Sequence, residues 1–165
     1  MAVRPIVNLK INFCWSVALT DDPVHDAAAE AATRFREELL GRGWPDACRV
    51  AELAGLSPEQ EGAAQVTENR RTGALLGVWS APEHRFVYPD FQFNRSGALR
   101  THVAELLGVL PANKDDQGGW RRAFWLYSPH SLLEGQTPAD VFANASIRVI
   151  EVAREEFLGD PDAAW

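Results

Sequence analysis

The sequence predicts a mainly α-helical chain with a small β component, and three observations predict it. Apolar residues recur at helical spacing in successive stretches from Val24 to Phe157. Strict alternation is confined to Val7–Val17, and two short runs, Leu75–Ser80 and His84–Tyr88, read as hairpin strands either side of the turn residues Ala81-Pro82-Glu83. Helix starts and stops punctuate the rest, with Pro23 and Pro138 at first-turn positions and Gly41, Gly43 and Gly159 beyond last turns. Three segments follow: an N-terminal strand and helix over residues 1–44, a helix-turn-helix-like module with a hairpin over 45–94, and a helical domain with an acidic tail over 95–165.

In the first segment Val7, Leu9, Ile11, Phe13, Trp15 and Val17 alternate with Asn8, Lys10, Asn12, Cys14 and Ser16, the pattern of a half-buried strand. Such a strand needs a sheet, supplied by the hairpin or by its copy in a second subunit, so a homodimer is expected. Asp21-Asp22-Pro23 then opens a helix on which Val24, Ala28, Ala31, Phe35 and Leu39 share a face.

The middle segment begins with a brief helix, Asp46–Ala54, closed by Gly55. Ser57-Pro58-Glu59-Gln60 has the form of a capping box for a second helix running to Arg70-Arg71, and the runs Leu75–Ser80 and His84–Tyr88 make a hairpin about Ala81-Pro82-Glu83. This is the order of a winged helix-turn-helix, in which the second helix enters the major groove and Arg70, Arg71 and Arg85 are the candidate DNA contacts. It is a degenerate version. From Asp46 to Ser80 three arginines face Asp46, Glu52, Glu59, Glu61 and Glu68, a net charge of -2, where a reading helix needs positive charge near phosphates. Gly62 weakens the second helix further, which sets a plain packing module level with DNA binding.

The last segment reads as helices. Leu99, Val103, Leu106, Leu107 and Leu110 share one face between Asn94-Arg95-Ser96-Gly97 and Pro111. Ala112–Gly119 is a polar connection, and Trp120–Leu126 is a short helix broken by Ser128-Pro129. Thr137 caps another, with Asp140 where the helix dipole favours a carboxylate. Asn144–Leu158 closes the chain with Ile147, Ile150, Ala153 and Phe157 inward.

Composition narrows the function classes. The 165 residues carry a formal charge of -7, which argues against a general polyanion binder. Cys14 and Cys48 have no partner at metal-ligand spacing and are expected as buried free thiols, with no metal or cofactor. No run of about 18 apolar residues and no signal-peptide pattern occurs, so a cytoplasmic protein without a membrane partner is expected. His25, His84, His102 and His130 are scattered outside any local catalytic signature, with His102 expected as a solvated or capped helix residue. Gly118-Gly119 lacks the preceding strand that a phosphate loop needs. An enzyme is not expected. Six Trp and eight Phe are many for this length, and such anchors serve a core or a protein interface.

The most specific series is Tyr88-Pro89-Asp90-Phe91-Gln92-Phe93, then Trp120, Trp125-Leu126, Pro129, Leu132-Leu133, Gly135 and Thr137-Pro138. It resembles bacterial type II antitoxins with an Xre/MbcA/ParS-type toxin-binding domain, the partners of RES-domain toxins that consume NAD. The resemblance runs from about Ala47 to Phe157 and is best over Trp120–Val141. The interval from Gly55 to Leu75 is longer than in that family, and the Val7–Val17 strand is not one of its features. From the residues themselves, Pro129 ends a helix, Gly135 permits a positive φ and Pro138 opens the next helix, which makes a compact corner. Trp120, Trp125, Leu126, Pro129, Leu133, Gly135 and Pro138 are expected as its scaffold, with Trp125, Leu126 and Leu133 in the core.

The resemblance implies an antitoxin that covers the active site of a RES-type toxin, with operator DNA as a second partner through autoregulation. Its contacts are expected at Arg148, Glu151, Arg154, Glu155, Phe157 and Trp165, and Asp160 and Asp162 are suited to a pocket built for phosphates. A DNA-binding regulator without a toxin is the alternative. An enzyme on a small substrate is a distant third, resting on the aromatics alone.

Overall fold

The computed structural model of the chain describes residues 23–56, 60–112 and 118–159. The Val7–Val17 strand with Cys14, the capping residues Ser57–Glu59 and the tail from Asp160 to Trp165 lie outside them. The chain is mainly helical with one small antiparallel sheet, in the order α1 (Pro23–Leu40), α2 (Ala47–Leu53), α3 (Gln60–Arg71), β1 (Val78–Ser80), β2 (Arg85–Val87), α4 (Val103–Val109), α5 (Trp120–Tyr127) and α6 (Pro138–Leu158).

Two compact units divide inside α1, after Phe35. In the first, the helix starts at Pro23 as its Asp-Asp-Pro sequence predicts. Ala28 and Ala31 are exposed and Phe35 is half-buried, so none of the described side chains of the predicted apolar face in this unit is fully buried. The second unit holds residues 36–165, and the segments separated in sequence at 94/95 share it.

In this second unit Asp46 caps α2, its Oδ1 accepting the Arg49 backbone N–H at 2.9 Å. Val50 and Ala51 then face a cluster with Val66, Leu75 and Tyr88. The hairpin pairs Val78 with Val87, Trp79 with Phe86 and Ser80 with Arg85. Val78 and Val87 are buried, while Trp79 and Phe86 meet edge to face at 5.2 Å on the other side. Its strands are shorter than the runs Leu75–Ser80 and His84–Tyr88 because flanking backbone finds other partners. Leu76 pairs with the Gln92 side chain, and the Tyr88 N–H donates to Pro45 C=O at 2.9 Å. The opposite edge is covered by the segment entering α5: Trp79 N–H donates to Gly118 C=O at 2.9 Å, and Trp120 Nε1 donates to Trp79 C=O at 3.0 Å.

The Tyr88–Phe93 stretch is a bolt between hairpin and helices. Tyr88, Pro89, Phe91 and Gln92 are buried; Phe91 packs on Phe142 at 5.6 Å, and Tyr127 Oη donates to Asp90 Oδ1. After it the chain departs from expectation. Residue Leu99 is 42% exposed and bridges Phe93 in extended form, while Arg100 N–H donates to Gln92 C=O at 2.8 Å. That pairing holds 98–100 out of the helix, so α4 begins at Val103, not before Leu99. His102, at φ 69, is its N-terminal flanking residue, in keeping with the expected solvated role.

Thr137 caps α6 by accepting the Asp140 N–H, with Pro138 in the first turn. The span α6 comprises the two predicted helices, joined at a kink where Ala145 leaves helical geometry at φ -142 and ψ 56. Beyond it the buried stripe centres on Val149, Ile150 and Ala153. Ile147 falls outside this stripe and is 50% exposed, which corrects its inward assignment.

Candidate functional site

The α5–α6 corner is built from the predicted scaffold series. Leu126 and Leu133 are core residues, 0% and 2% exposed, and Trp120 and Pro138 are buried beside them. Pro129 is exposed at the break after α5. A short 3-10 turn, Ser131–Leu133, follows, and Glu134 and Gly135 both take left-handed backbone at φ 58 and φ 79. His130 N–H donates to Gln136 C=O at 3.0 Å and closes the loop. Gly135 thus has the predicted positive φ. Trp125, expected in the core, is instead half-buried, because its indole N–H has its hydrogen-bond partner at the surface.

That partner is Glu156. Its Oε2 accepts from Trp125 Nε1 at 2.7 Å and meets His130 Nε2 at 2.8 Å. The other imidazole nitrogen, Nδ1, accepts the Leu132 backbone N–H at 3.3 Å. A nitrogen that accepts carries no proton, so the ring proton is assigned to Nε2 and donates to Glu156. Phe157 is half-buried with its ring 5.7 Å from that of Trp125, and His130 lies 5.8 Å from the same indole. Neither His130 nor Glu156 was legible as a site residue, because only the folded corner brings positions 26 apart together.

The remaining predicted contacts lie on the outward face of α6. Arg148, Glu151, Arg154 and Glu155 are all exposed, flanked by Ile147 and the 64% exposed Leu158. Arg148 Nη2 donates to Leu132 C=O at 3.2 Å. Arg154 Nη2 lies 2.8 Å from Glu105 Oε1, whose other oxygen meets His102 Nδ1 at 3.0 Å. The His102 hydrogen bond, followed by the charge of Arg154, holds the Glu105 carboxyl below the usual carboxylate range. Trp165 lies outside the described residues.

The three arginines predicted for DNA are engaged within the chain. The Arg70 guanidinium stacks 3.8 Å from the Phe86 ring centroid. Arg71 Nε binds Glu68 Oε2 at 2.9 Å, which lowers the glutamate's pKa and raises the arginine's. Arg85 Nη1 binds Asp46 Oδ2 at 2.7 Å and its guanidinium also holds Glu83. Arg70 and Arg85 line one concavity of about 270 Å³, and Arg71 stands outside it. Cys48 lines the same concavity and is exposed, not buried as expected, because the short α2 turns only Val50 and Ala51 inward.

Among the described residues no group of three His, Cys, Asp or Glu side chains could hold a metal ion, and no helix is long and apolar enough to cross a membrane. No family model, curated protein or solved structure matches the chain.

Proposed function

We propose that the chain acts by stoichiometric protein binding, as an antitoxin-like inhibitor that covers the active site of a RES-type, NAD-degrading toxin in the cytoplasm. The observation that carries this reading is the α5–α6 corner. Residues of the Trp125-Leu126, Pro129, Leu133, Gly135, Pro138 series form one braced turn, and the helix it launches presents Arg148, Glu151, Arg154 and Glu155 outward. The part of α6 beyond the Ala145 kink carries a mixed-charge face, which suits recognition of a folded partner, since charge pattern sets specificity and packing sets shape.

Co-expression with the toxin from the neighbouring gene tests it. Cells keep their NAD and grow when this chain is present, and a charge reversal at Arg148 and Glu151 together weakens protection without loss of the folded protein. A toxin that kills equally with and without the chain sinks the proposal.

Operator binding is the second reading, favoured by the α2, α3, β1, β2 order. It has less support because Arg70, Arg71 and Arg85 already stack or pair internally. A gel shift on the chain's own promoter, read at two salt concentrations, distinguishes the two.

A further inference from the structure

The chain holds 23 acidic against 16 basic side chains, yet one open concavity of about 640 Å³ carries the opposite charge. Its lining is Asn94, Arg95, Ser96, Arg100, Ala143 and Asn144: two guanidinium groups, three neutral polar side chains, one methyl group and no carboxylate. The turn at Asn94–Gly97 supplies three of these residues and is fixed by its own hydrogen bonds. Asn94 Oδ1 accepts the Ser96 and Ala98 N–H groups at 2.9 and 3.0 Å and the Ser96 hydroxyl at 2.7 Å, and buried Gly97 seats the turn against the Leu53 backbone of α2. Arg100 is fixed by donating from Nε to the Phe93 C=O at 2.9 Å and from Nη1 to the Ala143 C=O at 3.5 Å. Both acceptors are neutral, so no carboxylate among the described residues matches its charge, and its Nη2 has no hydrogen-bond partner among them. The exposed Arg95 side chain is neither hydrogen-bonded nor ion-paired among the described residues, and the side-chain N–H groups of Asn94 and Asn144 are likewise unclaimed there. Four side chains thus bring donors to one concavity that supplies them no acceptor.

We propose that this concavity binds the phosphate monoester of a small hydroxylated molecule. A phosphate dianion offers three oxygens to donors from separate side chains, whereas a carboxylate offers two in one plane, and guanidinium groups meet phosphate with paired hydrogen bonds. A bare phosphate leaves most of the 640 Å³ empty. No aromatic ring lines the site to stack on a base, and Ala143 is its one apolar residue, so the rest of the ligand is hydroxylated, with Ser96 Oγ and the Asn144 amide as its hydrogen-bond partners. None of the six residues belongs to the contacts proposed for a toxin or for DNA, and the assignment stands apart from the protein-binding reading.

The test is isothermal titration calorimetry of the full chain with glucose 6-phosphate, glucose, inorganic phosphate and citrate. Glucose 6-phosphate binds saturably and about tenfold more tightly than inorganic phosphate or citrate, and glucose gives no binding heat. Arg95→Glu, at an exposed side chain that makes no contact needed by the fold, weakens it by about tenfold or more, and Asn144→Asp acts in the same direction. Arg49→Glu, an equal change of charge on α2 outside the concavity, leaves the affinity within about twofold, and circular dichroism is the same for all three variants. Absence of saturable binding by glucose 6-phosphate, or equal weakening by the two arginine reversals, overturns the assignment. Equal affinity for inorganic phosphate or citrate also overturns it, because the site is then a general anion patch.

Discussion

Gln92 and Leu76 form a closed ring of two hydrogen bonds: Gln92 Oε1 accepts the Leu76 N–H at 2.8 Å, and its Nε2 donates to the Leu76 C=O at 2.7 Å. Both residues are buried, at 0% and 3% exposure. The side-chain amide thus stands in for a neighbouring strand and lets the hairpin end without an unpaired buried backbone.

Replacing Gln92 with Leu therefore strands a donor and an acceptor in the core and costs about 3 kcal/mol of unfolding free energy. Gln92→Glu costs at least as much, because a carboxylate has no hydrogen to give the Leu76 C=O. Urea denaturation measures both; a loss within experimental scatter of zero for Gln92→Leu contradicts the ring's structural role.

Gly119 and Gly135 separate two effects of adding a methyl group. Both have positive φ, +71 and +79, but a Cβ at Gly119 meets the Gly77 carbonyl oxygen at 2.4 Å, whereas nothing lies within 4 Å of one at Gly135. Gly135→Ala is expected to cost about 1 kcal/mol for backbone strain alone. Gly119→Ala forces α5 off the hairpin and costs about 3 kcal/mol or more. Equal midpoints of thermal unfolding for the two variants refute the close approach.

The chain's two tyrosines, Tyr88 and Tyr127, both titrate above their ordinary value. Burial is the leading cause at each, and at Tyr127 the Asp90 carboxylate adds to it. A raised folded value means that stability is intact below the unfolded value of about 10 and falls as pH rises above it, because only the unfolded chain ionises there. Phenolate absorbance should stay low in the folded protein past pH 10 and appear together with unfolding. Two phenols titrating normally while the circular dichroism spectrum is still native would show that neither is buried.

At the acid end, Glu105 is the group to follow. Its folded value is depressed, so its contribution is present above the unfolded value of about 4.3 and is lost as pH falls through the folded one. Because the His102 hydrogen bond is the first cause and Arg154 acts more weakly, His102→Ala should move the Glu105 carboxyl titration, followed by carbon NMR, further upward than Arg154→Ala does. The reverse order would place the main partner on α6.

What the sequence alone determined is what neighbouring residues decide among themselves. Thr137 caps its helix, Pro138 starts α6, Gly135 turns with positive φ, and the fold class is helical with a small hairpin. Each depends on side chains within a few positions of the backbone they act on, so spacing carries the information. The tertiary structure decided what depends on distant pairs. Arg100 and Gln92 keep Leu99 out of α4, the Glu156 carboxylate draws Trp125 to the surface, and Phe86, Glu68 and Asp46 engage the arginines that spacing offered to DNA. Leaving a buried amide unpaired costs more than the spread of intrinsic helix preference, and local sequence records neither such a pairing nor a distant counter-charge until the chain is folded.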